Sequence, residues 1–208
     1  MTAPESMTYD SLIADVSVYA ERETDSVFVA QIPRLVMLAE NRIASEARGL
    51  GFLRDVTTTL SGATLAKPSR WRETKSVSIT VSGETIYLKR RGFQYCKTFN
   101  PTGATGVPRF YADEVYEYWY FAPVPGAAYT AEVIYHERPD PLSSSNQTNW
   151  TTQYAPQLLL YATLLEAQPF LKTSERLAEF QGLYDRAILA VAKEDEKRQR
   201  PDAEAVRD

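Results

Sequence analysis

The stretch YFAPVPGAAYTAEVIY, from Tyr120 to Tyr135, decides how the middle of this chain is read. An aromatic segment stops at Pro-Val-Pro-Gly, and an alternating segment begins at once. Proline offers no N–H to a strand ladder and glycine turns tightly, so the stretch predicts two strands joined as a hairpin. Just upstream, EYWYFA places Tyr118 and Tyr120 on one face and Trp119 and Phe121 on the other. A strand with one wet face alternates apolar and polar residues, and this one does not. Either both faces are covered by the same chain, or a neighbouring chain covers one of them. The second alternative makes Tyr118, Trp119, Tyr120 and Phe121 a candidate subunit or tail interface.

The period of two continues on the N-terminal side. In SVSITV, Val77, Ile79 and Val81 alternate with Ser76, Ser78 and Thr80. Ser82-Gly83 then turns the chain and ETIYLKR returns, predicting another hairpin. DVTTTL and RFYAD read as further strands, and NPTGATGVP as a loop. GFQYCKTF fits either one helical turn or an irregular strand.

Both ends of the chain carry the helical period. Thr8 caps a first helix running to about Glu21, with Leu12, Val16 and Tyr19 on one stripe. A second helix follows ERETDS, with Val36, Ala39 and Ile43 on one face. Pro33 marks its first turn, or a kink after a short lead-in, and Gly49 and Gly51 end it. Beyond the connector RPDPLSSSNQTNW, helix returns at about Thr152 with Pro156 in the first turn, and Pro169 interrupts it near its end. A last helix spans roughly Ser174 to Lys197, with Leu177, Phe180, Tyr184, Ile188 and Val191 at helical spacing. The remainder of EDEKRQRPDAEAVRD has too little apolar surface to order alone. The predicted class is α+β: a four-helix bundle formed by N- and C-terminal helix pairs, with an inserted antiparallel β segment. The boundaries are residues 1–52, 53–149 and 150–197, with a flexible charged tail at 198–208.

The chemistry on offer is sparse. Lys and Arg number 23 against 27 Asp and Glu, a net charge of −4, which argues against coating nucleic acid by bulk charge. One cysteine, Cys96, excludes an internal disulfide and fits a reducing cytosol. MTAPESMTYD lacks the regions of a signal peptide, and no apolar run nears the roughly 20 residues of a membrane span. A zinc site needs about four donors, and the chain has one Cys and one His, His136. Gly103 and Gly106 lack the Lys-Ser/Thr ending of a phosphate loop. Asp113 and Glu114 point apart on a strand, and Glu175, Glu179 and Asp185 fit a solvated helix face. No catalytic residue, cofactor or metal is expected. Arg70, Arg72, Arg90 and Arg91, interleaved with Trp71, Tyr87, Phe93 and Tyr95, suit either single-stranded nucleic acid or a sheet edge guarded by cations.

The order of segments resembles the head–tail adaptor proteins of tailed bacteriophages, also called connector or tail tubular proteins. MTYDSLIADV resembles that family's opening, and QIPRLVMLAENRI its second helix, with Pro33, Ala39, Glu40 and Arg42 as the telling positions. GVPRFYA and FAPVPGAAYTAEVIYHERPDPLS resemble its central hairpin and exit. YAPQLLLYATLLEAQPFLK and FQGLYDRAILAV resemble its closing helices. The resemblance implies a virion structural protein and no enzyme. It implies a ring, commonly of twelve copies, between the portal protein and the tail or nozzle proteins, through which genomic DNA passes. It also implies a C-terminal segment that reaches along the portal, making Arg198, Arg200, Pro201 and Arg207 candidate portal contacts.

Overall fold

The computed structural model describes residues 7–47, 50–171 and 176–199. In chain order its elements are α1 (Tyr9–Tyr19), α2 (Ser26–Glu46), β1 (Leu53–Leu60), β2 (Thr64–Ala66), β3 (Trp71–Val81), β4 (Glu84–Tyr87), β5 (Lys89–Arg90), α3 (Phe93–Phe99), β6 (Thr105–Gly106), β7 (Phe110–Ala112), β8 (Tyr118–Ala122), β9 (Val124–Pro125), β10 (Tyr129–Glu137), α4 (Trp150–Tyr154), α5 (Pro156–Leu171) and α6 (Leu177–Gln199). The class is α+β. Two units divide the chain: Met1–Phe52 with Pro139–Asp208, and Leu53–Arg138.

In the helical unit, caps set the boundaries. Thr8 Oγ1 accepts from Ser11 N at 3.1 Å while Ser11 Oγ accepts from Thr8 N at 2.9 Å, a reciprocal capping box that starts α1. Asp25 accepts from Val27 N and Phe28 N, so α2 begins at Ser26, and of the two expected places for Pro33 it takes the one after a short lead-in instead of the first turn. Its end is closed by Ala47 in an extended conformation rather than by glycine; Gly49 lies outside the described residues. The helix expected from Thr152 is two pieces. Asn149 caps α4, Ala155 leaves the helical conformation, and Pro156 opens α5, where its missing N–H costs nothing.

The apolar stripes of α1, α2, α5 and α6 meet in one core that includes Leu12, Phe28, Ile32, Ile43, Leu158 and Tyr184, each 1% exposed or less. Leu177 was expected on the α6 stripe but is 43% exposed; Phe180 and Tyr184 are buried in the core, and Ile188 and Val191 pack against it partly buried. Arg42 bridges α2 to α5, with Nε and Nη2 each 2.6 Å from Glu166 Oε1. Tyr184 donates to Glu46 at 2.6 Å, and burial together with that carboxylate pushes its phenol up.

The connector from Pro139 to Asn149, expected with the β segment, groups with the helices. Tyr9 N donates to the Gln147 carbonyl at 2.8 Å. Glu40, only 6% exposed, accepts from Leu142 N and, at 2.8 Å, from Asn149 Nδ2. Asn149 Oδ1 in turn accepts from Thr151 N and Thr152 N. A buried carboxylate survives here because it satisfies otherwise stranded backbone and amide donors.

The second unit holds two four-stranded sheets, in the orders β1-β10-β3-β4 and β2-β8-β7-β5, and a two-residue pairing of β6 with β9. The first sheet is antiparallel throughout. In the second, β5 runs parallel to β7, and β6 is parallel to β9, so the segment is not wholly antiparallel. Ser82 and Gly83 both have positive φ, which suits the tight β3–β4 hairpin.

The opening stretch does not form a hairpin. β8 belongs to one sheet and β10 to the other. Pro123 and Pro125 end the β8 ladder, the Ala122–Pro123 peptide is cis, and β9 carries the chain across. The chain makes another such crossing at Leu88, where β4 leaves the first sheet and β5 joins the second.

Candidate interaction surfaces

The crossings explain the doubly aromatic strand. Trp119 (1% exposed) and Phe121 (0%) enter a core with Leu60, Val77, Ile79 and Val133 of the first sheet. Tyr120 faces the other way, packing edge-on to Phe93 at 5.2 Å with Lys97 Nζ 4.3 Å from its ring centre. Cys96, Ala112 and Ala122 share that second cluster, and Tyr118 is half-buried against it. The covering element is α3, the segment whose sequence fitted either a turn of helix or a strand. Of the two alternatives left open, the chain therefore covers both faces itself. Trp119, Tyr120 and Phe121 are interior residues, which corrects their expected place at an interface, and Tyr118 shows only part of its ring.

Two indoles meet at one hydroxyl in this core. Thr74 Oγ1 accepts from Trp119 Nε1 at 2.7 Å and from Trp71 Nε1 at 3.1 Å. A register shift lies beside it: Ile134 pairs with Ser76 and Tyr135 with Thr74, so Lys75 is the extra residue of a bulge. The bulge flips the alternation of β3, turning Lys75 out and Thr74 in.

The four arginines considered for nucleic acid are not equivalent. Arg70 donates from Nε to Glu137 Oε1 at 3.1 Å, and Arg54 pairs with the other oxygen of the same carboxylate. Arg90 Nη2 lies 2.8 Å from Asp113 Oδ1. Arg72 is half-buried on β3. Arg91 is exposed, its guanidinium 5.7 Å from the Tyr95 ring centre and 5.8 Å from that of Phe110. Lys67 is held inward, donating to the Asp113 and Val115 carbonyls at 2.7 Å each; burial lowers its ammonium to about 8, with Asp113 opposing the shift. Of the expected portal contacts, Arg198 falls on the last turn of α6, and Arg200, Pro201 and Arg207 lie outside the described residues.

Reactive groups are placed structurally. Cys96 is fully buried, and desolvation pushes its thiol up, away from a nucleophilic thiolate. Glu114 accepts from Phe93 N at the start of α3, and Asp113 is 6% exposed beside Arg90. Glu179 and Asp185 are exposed on α6; Glu175 lies outside the described residues. Among the described residues no group of three His, Cys, Asp or Glu side chains is arranged to hold a metal ion, and no helix is long and apolar enough to cross a membrane.

A surface only partly singled out from sequence, through Arg91 and Tyr95, lies on α3 and the strands beneath it. Tyr95 (47% exposed) and Phe99 (43%) stand one helical turn apart, each edge-on to half-buried Phe110, at 5.4 and 4.9 Å. Exposed Arg91 lies over the Tyr95 and Phe110 rings, while Lys97 lies over Phe93 and Tyr120. The signal was legible: from Lys89 to Ala112 the chain has five cations and no Asp or Glu.

No curated protein matches the chain. The SU10 adaptor protein family matches it over residues 7–207, nearly its whole length. The chain thus belongs to the SU10 adaptor protein family, whose members are structural adaptors of phages.

Proposed function

We propose that this chain is a head-to-tail adaptor whose copies, twelve by the resemblance noted above, form a ring between portal and tail. The ring extends the DNA channel without reading sequence, at the head–tail junction of the virion, after assembly in the host cytoplasm. The family match over residues 7–207 carries this reading. Helices α1, α2, α5 and α6 act in it as a four-helix bundle and rigid body, and the β segment offers contacts to neighbouring copies or to tail and nozzle proteins. Residues 198–208, with Arg198, Arg200, Pro201 and Arg207, reach the portal. A net charge of −4 suits a channel through which DNA slides, since a strongly basic lining would hold phosphates. The role needs no catalysis and no cofactor.

Nucleic-acid binding through Arg70, Arg72, Arg90 and Arg91 is the weaker reading, because Arg70 and Arg90 already face carboxylates. The test is to mix the purified chain with a portal ring and image the product. A second, coaxial ring is expected. A bare portal beside a chain that shifts DNA strongly at moderate salt would instead favour nucleic-acid binding.

A further inference from the structure

The first sheet of the β unit ends in β1 on one side and β4 on the other, and its register shows which way their backbones point. Just past β4, Leu88 N donates to the Val77 carbonyl at 2.9 Å. In an antiparallel ladder the N–H and C=O of one residue point to the same side, and successive residues alternate. Counted back from Leu88, Glu84 and Ile86 bond to β3, so the N–H and C=O of Thr85 and Tyr87 point away from the sheet. Carried across β3 and β10, the same alternation turns Val56, Thr58 and Leu60 towards β10, and Asp55, Thr57 and Thr59 outwards.

These outward residues are all exposed, and among the described residues no other backbone bonds to their outer side. Arg54 Nη1 closes the start of β1 by donating to the Leu53 carbonyl at 2.8 Å. From Val56 to Leu60 the strand then has no charge, no proline and no bulge against β10. Those are the features that protect an open edge, and a bare edge recruits another strand. The two bare edges match each other. Every pairing in this four-stranded sheet is antiparallel, so β1 and β4 run in opposite directions. A second copy laid beside the first in the same orientation therefore brings its β4 antiparallel to β1. Ile86 is 37% exposed, yet it lies on the face of its partner Ile79, which is in the core. Pairing outward residue with outward residue sets it beside half-buried Thr58 on that same face, diagonal to Val56 and Leu60. Tyr87, 69% exposed, then crosses Thr57, an aromatic ring against a β-branched side chain.

We infer that β4 of one copy adds to β1 of the next, with Tyr87 opposite Thr57 and Thr85 opposite Thr59, so that the first sheets of successive copies join edge to edge. Two different edges meet, so the contact is head-to-tail and each copy keeps one edge open for a further neighbour. It leaves neither edge of this sheet bare between copies, whereas pairing β1 with a second β1 would leave both β4 edges open. Main-chain hydrogen bonds supply the affinity of strand addition, and alternate side chains its register. β4 is only four residues long, so one junction is weak and shows at high concentration or where a portal lines copies up. The inference deepens the adaptor reading and rests on it for the setting in which copies meet.

The test places proline at outward positions of the full chain. An edge strand tolerates proline where its missing N–H faced solvent, so Thr57→Pro silences the β1 edge and Thr85→Pro the β4 edge while the ladder within the sheet is kept. Far-UV circular dichroism confirms that both fold; Thr59→Pro and Tyr87→Pro stand in for a variant that does not. Sedimentation is followed up to about 1 mM, where weak contacts register, and amide exchange is read in dilute protein, in concentrated protein and on a portal ring. Wild type grows beyond a dimer, and each variant alone loses at least about tenfold in affinity. Their equimolar mixture gives a heterodimer and stops there, because only one junction can form. The amides of Thr57, Thr59, Thr85 and Tyr87 exchange freely in dilute wild type and become protected on association. The inference is overturned if wild type shows no contact between copies in either setting, if either variant alone associates like wild type, or if the mixture stays apart or grows past a dimer. Association of Thr85→Pro alone would assign β1 to pairing with itself. A portal ring that gathers wild type while these amides still exchange freely removes this contact and leaves the adaptor reading standing. Strand pairing in solution without any portal docking does the reverse.

Discussion

Replacing Thr74 with valine separates hydrogen bonding from packing in the β unit. Valine has nearly the shape of threonine, so the site keeps its volume and loses only the oxygen that accepts from Trp119 at 2.7 Å and Trp71 at 3.1 Å. Both indoles are buried, at 1% and 9% exposure, and water cannot readily replace the hydroxyl. An unsatisfied buried donor costs about 1–3 kcal/mol, so two cost about 2–6 kcal/mol, while exchanging a buried hydroxyl for a methyl returns about 1 kcal/mol. The net loss expected for Thr74→Val is about 3 kcal/mol. Thr74→Ser keeps the oxygen and deletes one methyl group, a loss of about 1 kcal/mol. Urea unfolding is the assay, in a Trp150→Phe background so that emission comes from Trp71 and Trp119 of the β unit, with far-UV ellipticity for the helices. Emission midpoints should fall in the order wild type, Ser, Val, with the helical transition little changed. If valine is as stable as serine or better, the shared hydroxyl is not what orders these two rings.

Three further outcomes follow from particular contacts. Burial raises Glu40 from its ordinary 4.5 to about 7, outweighing the donors Leu142 N and Asn149, which pull it down. Between those values the folded chain binds more protons than the unfolded one, so stability falls as pH rises from about 4.5 to about 7, by roughly 3 kcal/mol in all. Glu40→Gln should lack that slope; equal slopes in wild type and variant, measured by denaturation across this window, would refute it. In Gly51→Ala the new methyl would collide with Trp150, wedged between Phe52 at 5.1 Å and Tyr154 at 5.9 Å. Overpacking of this kind costs about 1–3 kcal/mol, visible as a lower melting temperature. Trp119→Ser and Phe121→Ser should each lose about 3–5 kcal/mol in β-unit stability, with assembly failing as a consequence; a stable variant that fails only in assembly would return these rings to an interface.

What was legible in the sequence follows from the range of the forces involved. Caps and stripes are local, so α1, the α6 residues Phe180 and Tyr184, and the Ser82-Gly83 turn could be read directly. The α2 start was legible to within a residue, since the helix follows ERETDS; of the two places open to Pro33 the one after a lead-in holds, because a helix tolerates proline when packing outweighs one lost bond. The hairpin at Pro123–Gly126 was misread for a longer-range reason. Turn residues show that a ladder ends, but not whether the next strand pairs with the last one or crosses to another sheet. Aromatic residues on both faces of β8 were the clue to two covers, and α3 was the missing one, too short for its period to be decisive. Tyr95 was noticed beside the cations, but Phe99 was not, because the spacing of the two rings is equally that of a buried stripe.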